Sequence, residues 1–425
     1  MTNEPFQKAY KALNTAQKQA VDAIDGPVMV VAGPGTGKTQ VLTLRIANIL
    51  ENTDTEANGI LCLTFTRSGV SAMQDRLESY IGQLARSVTI TTFHSFAISL
   101  IEKNYSLLDF HTMPSLLEDS QAVLLVDELL ENSSWTYLRP RTDPTKYFND
   151  LKSLISVLKR EGIQPQNFLN IIESEIKQLE TDPGNVSTRG ATKGELKKEI
   201  EKKIESLNRT REVVLFYEQY EEIKHNHNQM DYDDVLTYAV DLVEQFENVR
   251  DDVRENYLYI LVDEHQDSSG IQNRFLKAVW AEVEQPNIFV VGDDRQLIYG
   301  FSGANIDYFN EFKTAFGASQ KIVLTENYRS TAPILNLADD LLKSSITTEA
   351  LHSNKTGTDK VNLSEYKYNR DEIIGAKLYF KKLIESGTKP NDIAMLLPKN
   401  RHVRQAVTTL RSMGVPVVTE QSVSL

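Results

Sequence analysis

The sequence is short of cysteine, of basic charge and of long apolar runs, and each shortage narrows what the chain can be. Of 425 residues only Cys62 is a cysteine. One thiol cannot close an internal disulfide or build a cysteine-based zinc site, and the apolar setting Ile60-Leu61-Cys62-Leu63 assigns it to a core. No apolar stretch approaches the roughly 18 residues of a membrane span, and Met1-Thr2-Asn3-Glu4-Pro5-Phe6 has neither the basic stretch nor the apolar core of a secretory leader. A cytoplasmic protein with no membrane partner is expected. Lysine and arginine number 46 against 59 aspartates and glutamates, a net charge of −13. That excludes coating nucleic acid by bulk charge and leaves room only for a local groove. Hydrophobic residues at 40% and charged residues at 25% exclude disorder and collagen as the bulk description, and no repeat of solenoid or propeller length is present. At about 150 residues per domain, the length predicts about three domains or one large domain with insertions.

What is present is alternation. Short apolar runs lead into polar turns and helix-like segments at Pro27 to Val31, Ile60 to Phe65, Val88 to Thr91, Tyr257 to Val262, Asn287 to Val291 and Lys321 to Leu324. Continuous apolar strands joined by helices predict a parallel sheet covered on both faces. From about 105 to 225 the pattern is helical with no convincing strand, so this block reads as an insertion. Within it, Gly194 to His225 is charge-dense with pairs such as Glu199 and Lys203 at i,i+4, the pattern of a solvated helix surface. His225 and His227, two apart on that helix, point away from each other and read as a solvated end, not a metal pair. Lys343 to Lys360 is polar and reads as a linker. A second α/β unit follows, with strands at Val361 to Tyr366, Asp392 to Leu397 and Val415 to Thr419 and helices at Asp371 to Glu385 and Arg401 to Met413, a sheet too small to be complete.

The chemistry concentrates in two places. Val28-Met29-Val30-Val31 runs into Ala32-Gly33-Pro34-Gly35-Thr36-Gly37-Lys38-Thr39 and then a helical pattern, which is the strand, glycine loop and helix of a phosphate-binding loop with Ala at its first position. Backbone N–H groups of Gly33, Gly35, Thr36 and Gly37 can turn inward around phosphate oxygens, Lys38 reaches the terminal phosphates, and the Thr39 hydroxyl serves Mg²⁺. The second place is Tyr259-Ile260-Leu261-Val262-Asp263-Glu264-His265-Gln266-Asp267, an apolar strand that delivers adjacent carboxylates to its C-terminal end. Asp263 suits Mg²⁺ and Glu264 suits the deprotonation of an attacking water. ATP and Mg²⁺ are the expected cofactors.

These residues carry a family resemblance. The chain resembles the front portion of a superfamily 1 helicase of the UvrD/Rep/PcrA type, with motifs in order over nearly its whole length. Leu13 to Val21 resembles the adenine-reading segment, with Gln17 as reader; Thr64-Phe65-Thr66 and Thr92-Phe93-His94-Ser95 resemble DNA-contacting segments. Asp263 to Asp267 matches the carboxylate signature, and Gly292 to Phe301 resembles the coupling motif, with Gln296 sensing the γ-phosphate. Asn327-Tyr328-Arg329-Ser330 matches the segment in which the tyrosine stacks on adenine and the arginine touches the γ-phosphate. Gln40, Arg295, Leu297 and Ser302 depart from the family pattern, Arg295 standing where an acidic or small residue is usual. Phe65, Thr66, His94, Tyr299 and Phe301 are the implied DNA contacts, the aromatics by stacking on bases. Asp231-Tyr232-Asp233-Asp234 resembles an acidic-aromatic segment of the family and equally fits a helix cap.

The resemblance implies an α/β fold with a RecA-like phosphate-loop sheet, a helical insertion and a partial second RecA-like domain. The domains would be 1–104 with 226–342 as the first RecA-like unit, 105–225 as the insertion and 343–425 as the start of the second. It implies an ATP-dependent translocase or helicase moving 3′ to 5′ on single-stranded DNA or at single/double-strand junctions. The alternative is a DNA-sensing ATPase regulating a nuclease or a repair or defence partner. Glu264, Lys38, Gln296 and Arg329 would be catalytic. Turnover is expected to be slow in the isolated chain, because the family's last two motifs, one carrying a second arginine, are not found in it.

Overall fold

The computed structural model describes residues 4–132, 135–138, 144–188, 193–297, 306–317, 319–342, 349–357, 361–415 and 417–419. They fall into two compact units, 1–358 and 359–425.

In the first unit the strands are β1 (Val28–Ala32), β2 (Ile60–Thr64), β3 (Thr89–Thr92), β4 (Ser115–Leu116), β5 (Gln229–Met230), β6 (Tyr259–Val262), β7 (Ile288–Gly292), β8 (Gln320–Leu324), β9 (Glu326–Thr331) and β10 (His352–Lys355). Six of them form one parallel sheet in the order β3-β2-β6-β7-β1-β8, so all six apolar runs read from the sequence are its strands. The registers Thr64↔Thr92, Leu63↔Val262, Val262↔Val290, Val31↔Gly292 and Ala32↔Leu324 bring the strands' C-terminal ends to one edge.

Because side chains alternate along a strand, each strand feeds two cores. Met29, Val31, Leu61, Leu63, Val262 and Val290 pack under the helices Phe93–Asn104, Asp234–Gln245 and Gly270–Trp280. Val28, Val30, Ile60, Cys62, Leu261 and Phe289 pack under Thr15–Asp22, Lys38–Asn52 and Arg67–Ile81. Cys62 is fully buried there, against Met73. No described helix is long and apolar enough to cross a membrane.

The chain leaves and re-enters this unit side by side. β4 pairs in parallel with β5, a two-residue ladder too short to show in the apolar periodicity, so the strand-free reading of 105 to 225 is corrected at Ser115–Leu116. Between them the helices Asp119–Asn132, Pro144–Arg160, Pro165–Thr181 and Lys198–Asn226 carry their own core, with Leu125, Leu129, Trp135, Leu151, Ile155 and Phe216 in it. The solvated reading of Gly194 to His225 holds for the first half of the last helix, where exposed Lys203 pairs with Glu175 at 2.9 Å instead of with Glu199. It fails in the second half, where Val214, Phe216, Tyr217, Tyr220 and Lys224 are buried. His225 is likewise no solvated end: its ring packs on Phe110, and Nε2 lies 3.2 Å from the Leu108 carbonyl. His227 is exposed.

Two buried lysines tie the insertion to the sheet unit. Lys159 and Lys224 both contact the carboxyl of Asp234, both approach Asp231 at 2.8 Å, and they reach Glu221 at 2.7 and 2.9 Å. Asp231 also caps the helix Asp234–Gln245, its Oδ1 accepting the N–H of Asp233 and of Asp234 at 3.0 and 2.9 Å. The same four-residue segment thus serves as a helix cap and as an ionic anchor. About two turns on, burial pushes the Asp241 carboxyl up to about 6, against the pull of Arg274 and with the push of Glu244. An unfolded aspartate titrates near 3.9. The folded state therefore holds the extra proton between those values, and stability falls as pH rises from about 4 through about 6. Asp241→Asn should be more stable than the parent above about pH 6, by on the order of 2 kcal/mol, and should gain nothing below about pH 4. Melting temperatures of the two proteins across pH 4 to 8 test this assignment, and parallel curves would remove it.

In the second unit the helices Asn369–Glu385 and Asn400–Ser412 form close to the expected places. Ile373, Ala406 and Leu410 make a small core against which Met395, Leu397, Val415 and Val417 pack. The expected strands Val361 to Tyr366, Asp392 to Leu397 and Val415 to Thr419 are not formed among the described residues. An apolar extended segment becomes a strand only when a neighbour completes its ladder; here the second and third segments contribute packing without one, and Val361 to Tyr366 stays exposed. The expected linker is also corrected over its described part. β10 pairs in parallel with β9, His352 opposite Glu326 and Lys355 opposite Thr331, which binds 352–355 into the first unit.

Candidate nucleotide and nucleic-acid site

The phosphate loop leaves β1 at the sheet's C-terminal edge. Gly35 and Gly37 have φ of 73° and 91°, a left-handed backbone that L side chains rarely adopt. A Cβ at Gly35 would lie 2.6 Å from Cβ of Arg329, and one at Gly37 would lie 2.9 Å from the Gln17 amide. Thr36 is buried and its hydroxyl closes the loop on Gly33 O at 2.8 Å. Lys38 and Thr39 open the helix Lys38–Asn52. Arg45, further along and fully buried, donates to the carbonyls of Ala20, Ala23 and Ile24 at the end of the helix Thr15–Asp22. The helix bearing Gln17 is thereby fixed to the helix bearing Lys38.

Gln17 does more than its expected role requires. It is 3% exposed, its Oε1 accepts the Asn14 N–H at 3.1 Å in a capping box, and its Nε2 donates to Thr36 O at 2.8 Å. It braces the phosphate loop. Beside it, Tyr328 is exposed and its hydroxyl accepts from Asn14 Nδ2 at 2.9 Å, while its backbone N–H donates to Gly35 O at 2.9 Å. Asn327, fully buried, donates to Pro34 O and accepts from Arg329 N and Ser330 N at 2.9 and 2.7 Å. Asn327 is the organiser of this segment, a role that sequence reasoning gave to none of its residues, although a buried amide beside a glycine loop is its natural signal. Arg329 is exposed next to Gly35.

The carboxylate pair follows β6. Glu264 adopts φ 48°, ψ 45°, an uncommon left-handed backbone for a glutamate. Its Oε2 accepts from Lys38 Nζ at 2.7 Å and from Gln266 Nε2 at 3.0 Å. Gln266 Oε1 in turn accepts the N–H of Asp293 at 2.9 Å, and Asp293 Oδ2 accepts from Gln296 Nε2 at 2.7 Å. Since β7 lies between β6 and β1, Lys38, Glu264, Gln266, Asp293 and Gln296 form one continuous hydrogen-bonded chain across three neighbouring strand ends. Gln266 and Asp293 are links that sequence reading did not single out.

Burial pushes the Asp263 carboxyl up to about 7, with Glu264 adding to the shift and Lys38 opposing it. Burial likewise raises Asp267 to about 6, and its Oδ1 is buried without a hydrogen-bond partner. Hard oxygen donors, buried carboxyls pushed up by burial and a cradle that a Cβ would fill all fit a magnesium-bound polyphosphate. His265 is buried between Phe309 and Phe312, and burial lowers its pKa to about 4.

The expected DNA contacts among the described residues follow β2 and β3, on the same C-terminal edge of the sheet and beyond β6 from the phosphate loop. Phe65, directly after β2, is 38% exposed. Thr66 caps the helix Arg67–Ile81 by accepting Gly69 N–H at 3.0 Å. His94 lies in the first turn of the helix after β3, its ring stacked on exposed Tyr232 at 4.0 Å between centroids and 11° between planes. Burial lowers its pKa to about 4, so the ring is neutral near pH 7. Tyr299 and Phe301 lie outside the described residues.

Comparison with known proteins agrees with this geometry. A family model of the UvrD/REP helicase N-terminal domain matches residues 13–317, and one of the UvrD-like helicase C-terminal domain matches residues 322–425. The second match corrects an expectation. C-terminal family sequence is present, so slow turnover no longer follows from missing motifs. The chain is 28% identical over 412 residues to the ATP-dependent DNA helicase PcrA of Staphylococcus aureus, and 28% identical over 414 residues to that of Staphylococcus epidermidis. These alignments cover 95% and 96% of this chain and 50% of each relative, so the chain spans about half their length.

Proposed function

Because the chain belongs to the UvrD/REP helicase family, we propose that it is a cytoplasmic ATP-dependent motor that moves 3′ to 5′ on single-stranded DNA and separates strands at junctions. The observation that carries this reading is the chain from Lys38 through Glu264, Gln266 and Asp293 to Gln296, with Phe65 exposed beyond it on the same sheet edge.

Without nucleotide, Lys38 neutralises Glu264. The terminal phosphate of ATP competes for that lysine, and once Lys38 moves onto phosphate oxygens the Glu264 carboxylate is free to accept a proton from the attacking water. Gln266 holds the same carboxylate oxygen, so the freed base keeps its direction. Arg329, exposed beside Gly35, brings a second positive charge to the γ-phosphate, and Gln296 turns its amide from Asp293 to the same group. Tyr328 offers a ring to adenine next to Gln17. Thr39 and Asp263 would hold Mg²⁺, which when bound neutralises phosphate charge. Phe65 takes a DNA base by stacking, which an acidic chain can do without a large basic face.

The test is steady-state ATP hydrolysis with and without single-stranded DNA, together with strand displacement from duplexes tailed at either end. DNA-stimulated hydrolysis with displacement from 3′-tailed duplexes is expected. Stimulation without displacement would replace the motor with a DNA-sensing ATPase acting beside a nuclease or repair factor, and hydrolysis indifferent to DNA would remove both readings. Phe65→Ala should weaken single-stranded DNA binding by about 1 to 3 kcal/mol whatever the sequence, and should leave the salt slope unchanged because stacking releases few counterions. Fluorescence anisotropy at two salt concentrations measures both quantities. Unchanged affinity would return Phe65 to packing.

A further inference from the structure

The hydrogen-bonded chain that starts at the phosphate loop does not stop at Gln296. Its neighbour Arg295 carries it off the sheet. The Arg295 side chain is 13% exposed and pairs at 2.7 Å with Asp339 Oδ1 on the helix Ala332–Leu342. Its Nη2 donates to Glu349 O at 2.6 Å, and its backbone N–H donates to Asp293 Oδ1 at 3.1 Å. Asp293 is the residue whose Oδ2 already accepts from Gln296 and whose N–H donates to Gln266. A guanidinium can make this double contact because its donors sit in a rigid fork. An acidic side chain at this position would repel Asp339 instead.

The segment that Arg295 grips is gripped elsewhere as well. A Cβ on Gly33 would meet the Leu351 methyls at 2.8 Å, so Leu351 closes directly over the phosphate loop. His352 N–H donates to Thr325 O at 2.9 Å, and Ser353 Oγ donates to Ser330 O at 2.8 Å, just past Arg329. Residues 349–355 therefore touch the phosphate loop, the Gln296 loop and the strand that carries Tyr328 and Arg329. They are also the stretch through which the sequence passes toward the second unit.

We propose that Arg295 is a positioning residue that clamps Asp339 and Glu349 and so couples the Gln296 loop to the exit segment 349–355, making that segment responsive to nucleotide at Lys38. The nucleotide-dependent half of this proposal rests on the ATP reading above, whereas the clamp itself does not.

Hydrogen exchange at 352–355, followed without nucleotide in the parent, R295A, D339A and the double variant, tests the clamp. R295A should speed exchange there about tenfold, D339A less, and the double variant no more than R295A, since both remove one interaction. R295K should fall between parent and R295A because it keeps the charge and loses the fork. Parental exchange in R295A, or effects that simply add in the double variant, would overturn the clamp. For the coupling, R295A should lower kcat of ATP hydrolysis about tenfold with KM within about twofold of the parent, with partial recovery in R295K. Exchange that responds while kcat does not would overturn the coupling. Failure of the ATP reading shows separately, as a parent protein that binds no fluorescent ATP analogue. That result removes the coupling and leaves the nucleotide-free comparison to decide the clamp.

Discussion

Glu264→Gln is expected to reduce ATP hydrolysis by about 10² to 10⁴ while nucleotide binding is kept, the size usual for loss of a general base. The amide preserves the shape of the side chain and can still accept from Gln266, yet it cannot take the proton of the attacking water. Binding should tighten if it changes, because Lys38 no longer has to leave a carboxylate 2.7 Å away before it can reach phosphate. Lys38→Ala works the other way. It removes the cation that meets the phosphates and should weaken binding itself, so the two variants separate binding from chemistry. Equilibrium titration with a fluorescent ATP analogue and steady-state hydrolysis with saturating single-stranded DNA read the two effects. Parental hydrolysis in the Glu264 variant would show that the base lies elsewhere.

The largest stability effect is expected at Asp234. Its carboxyl is 1% exposed and touches two ammonium groups that are 2% and 0% exposed. Burial alone would raise its pKa, but Lys159 and then Lys224 outweigh that and hold it below the ordinary carboxylate range. Removing it leaves two buried cations with Asp231 and Glu221 as partners. Breaking a buried pair in this way costs about 3 to 5 kcal/mol, because an uncompensated charge stays in a low-dielectric site. Asp234→Ala should therefore lower the unfolding free energy by about that amount and expose the insertion to protease near Lys159 and Lys224. Lys203→Ala is the control. Its pair with Glu175 is solvated at both ends, and its loss should change stability by less than about 0.5 kcal/mol. The sign with pH follows from the depressed carboxyl: this stabilisation is full above about pH 4 and is lost as acid protonates Asp234. Denaturant unfolding of both variants at neutral pH decides the point, and similar stabilities would mean that the network carries no more than a surface pair does.

Much of the site was legible because its signals are local. An apolar run ending in Gly33-Pro34-Gly35-Thr36-Gly37-Lys38-Thr39 has few structures open to it, since the glycines must supply positive φ where no other residue does so readily. The carboxylates after Val262 are similarly placed by the strand that precedes them. The second unit was misread for the complementary reason. Periodicity identifies segments that are able to be strands, and pairing, which the sequence does not record, decides whether they become strands. Lys224 shows the same limit in a helix: in a charge-dense stretch it reads as solvated, and it is Asp231 and Asp234, brought beside it by the turn through β5 to join Glu221, that compensate its full burial.

By itself, then, the sequence determined the parallel α/β sheet, the phosphate loop, the carboxylate pair and the helicase resemblance, because each is written in residues adjacent along the chain. Tertiary structure alone decided that β7 lies between β6 and β1, and hence that Lys38 meets Glu264 across 226 positions of sequence. It also decided that Gln17 braces a loop, that Arg295 grips Asp339 and Glu349, and that 352–355 is a strand and not a linker. Those contacts depend on strand order and register. They follow from how the two faces of the sheet are buried as a whole, and no local stretch of residues encodes them.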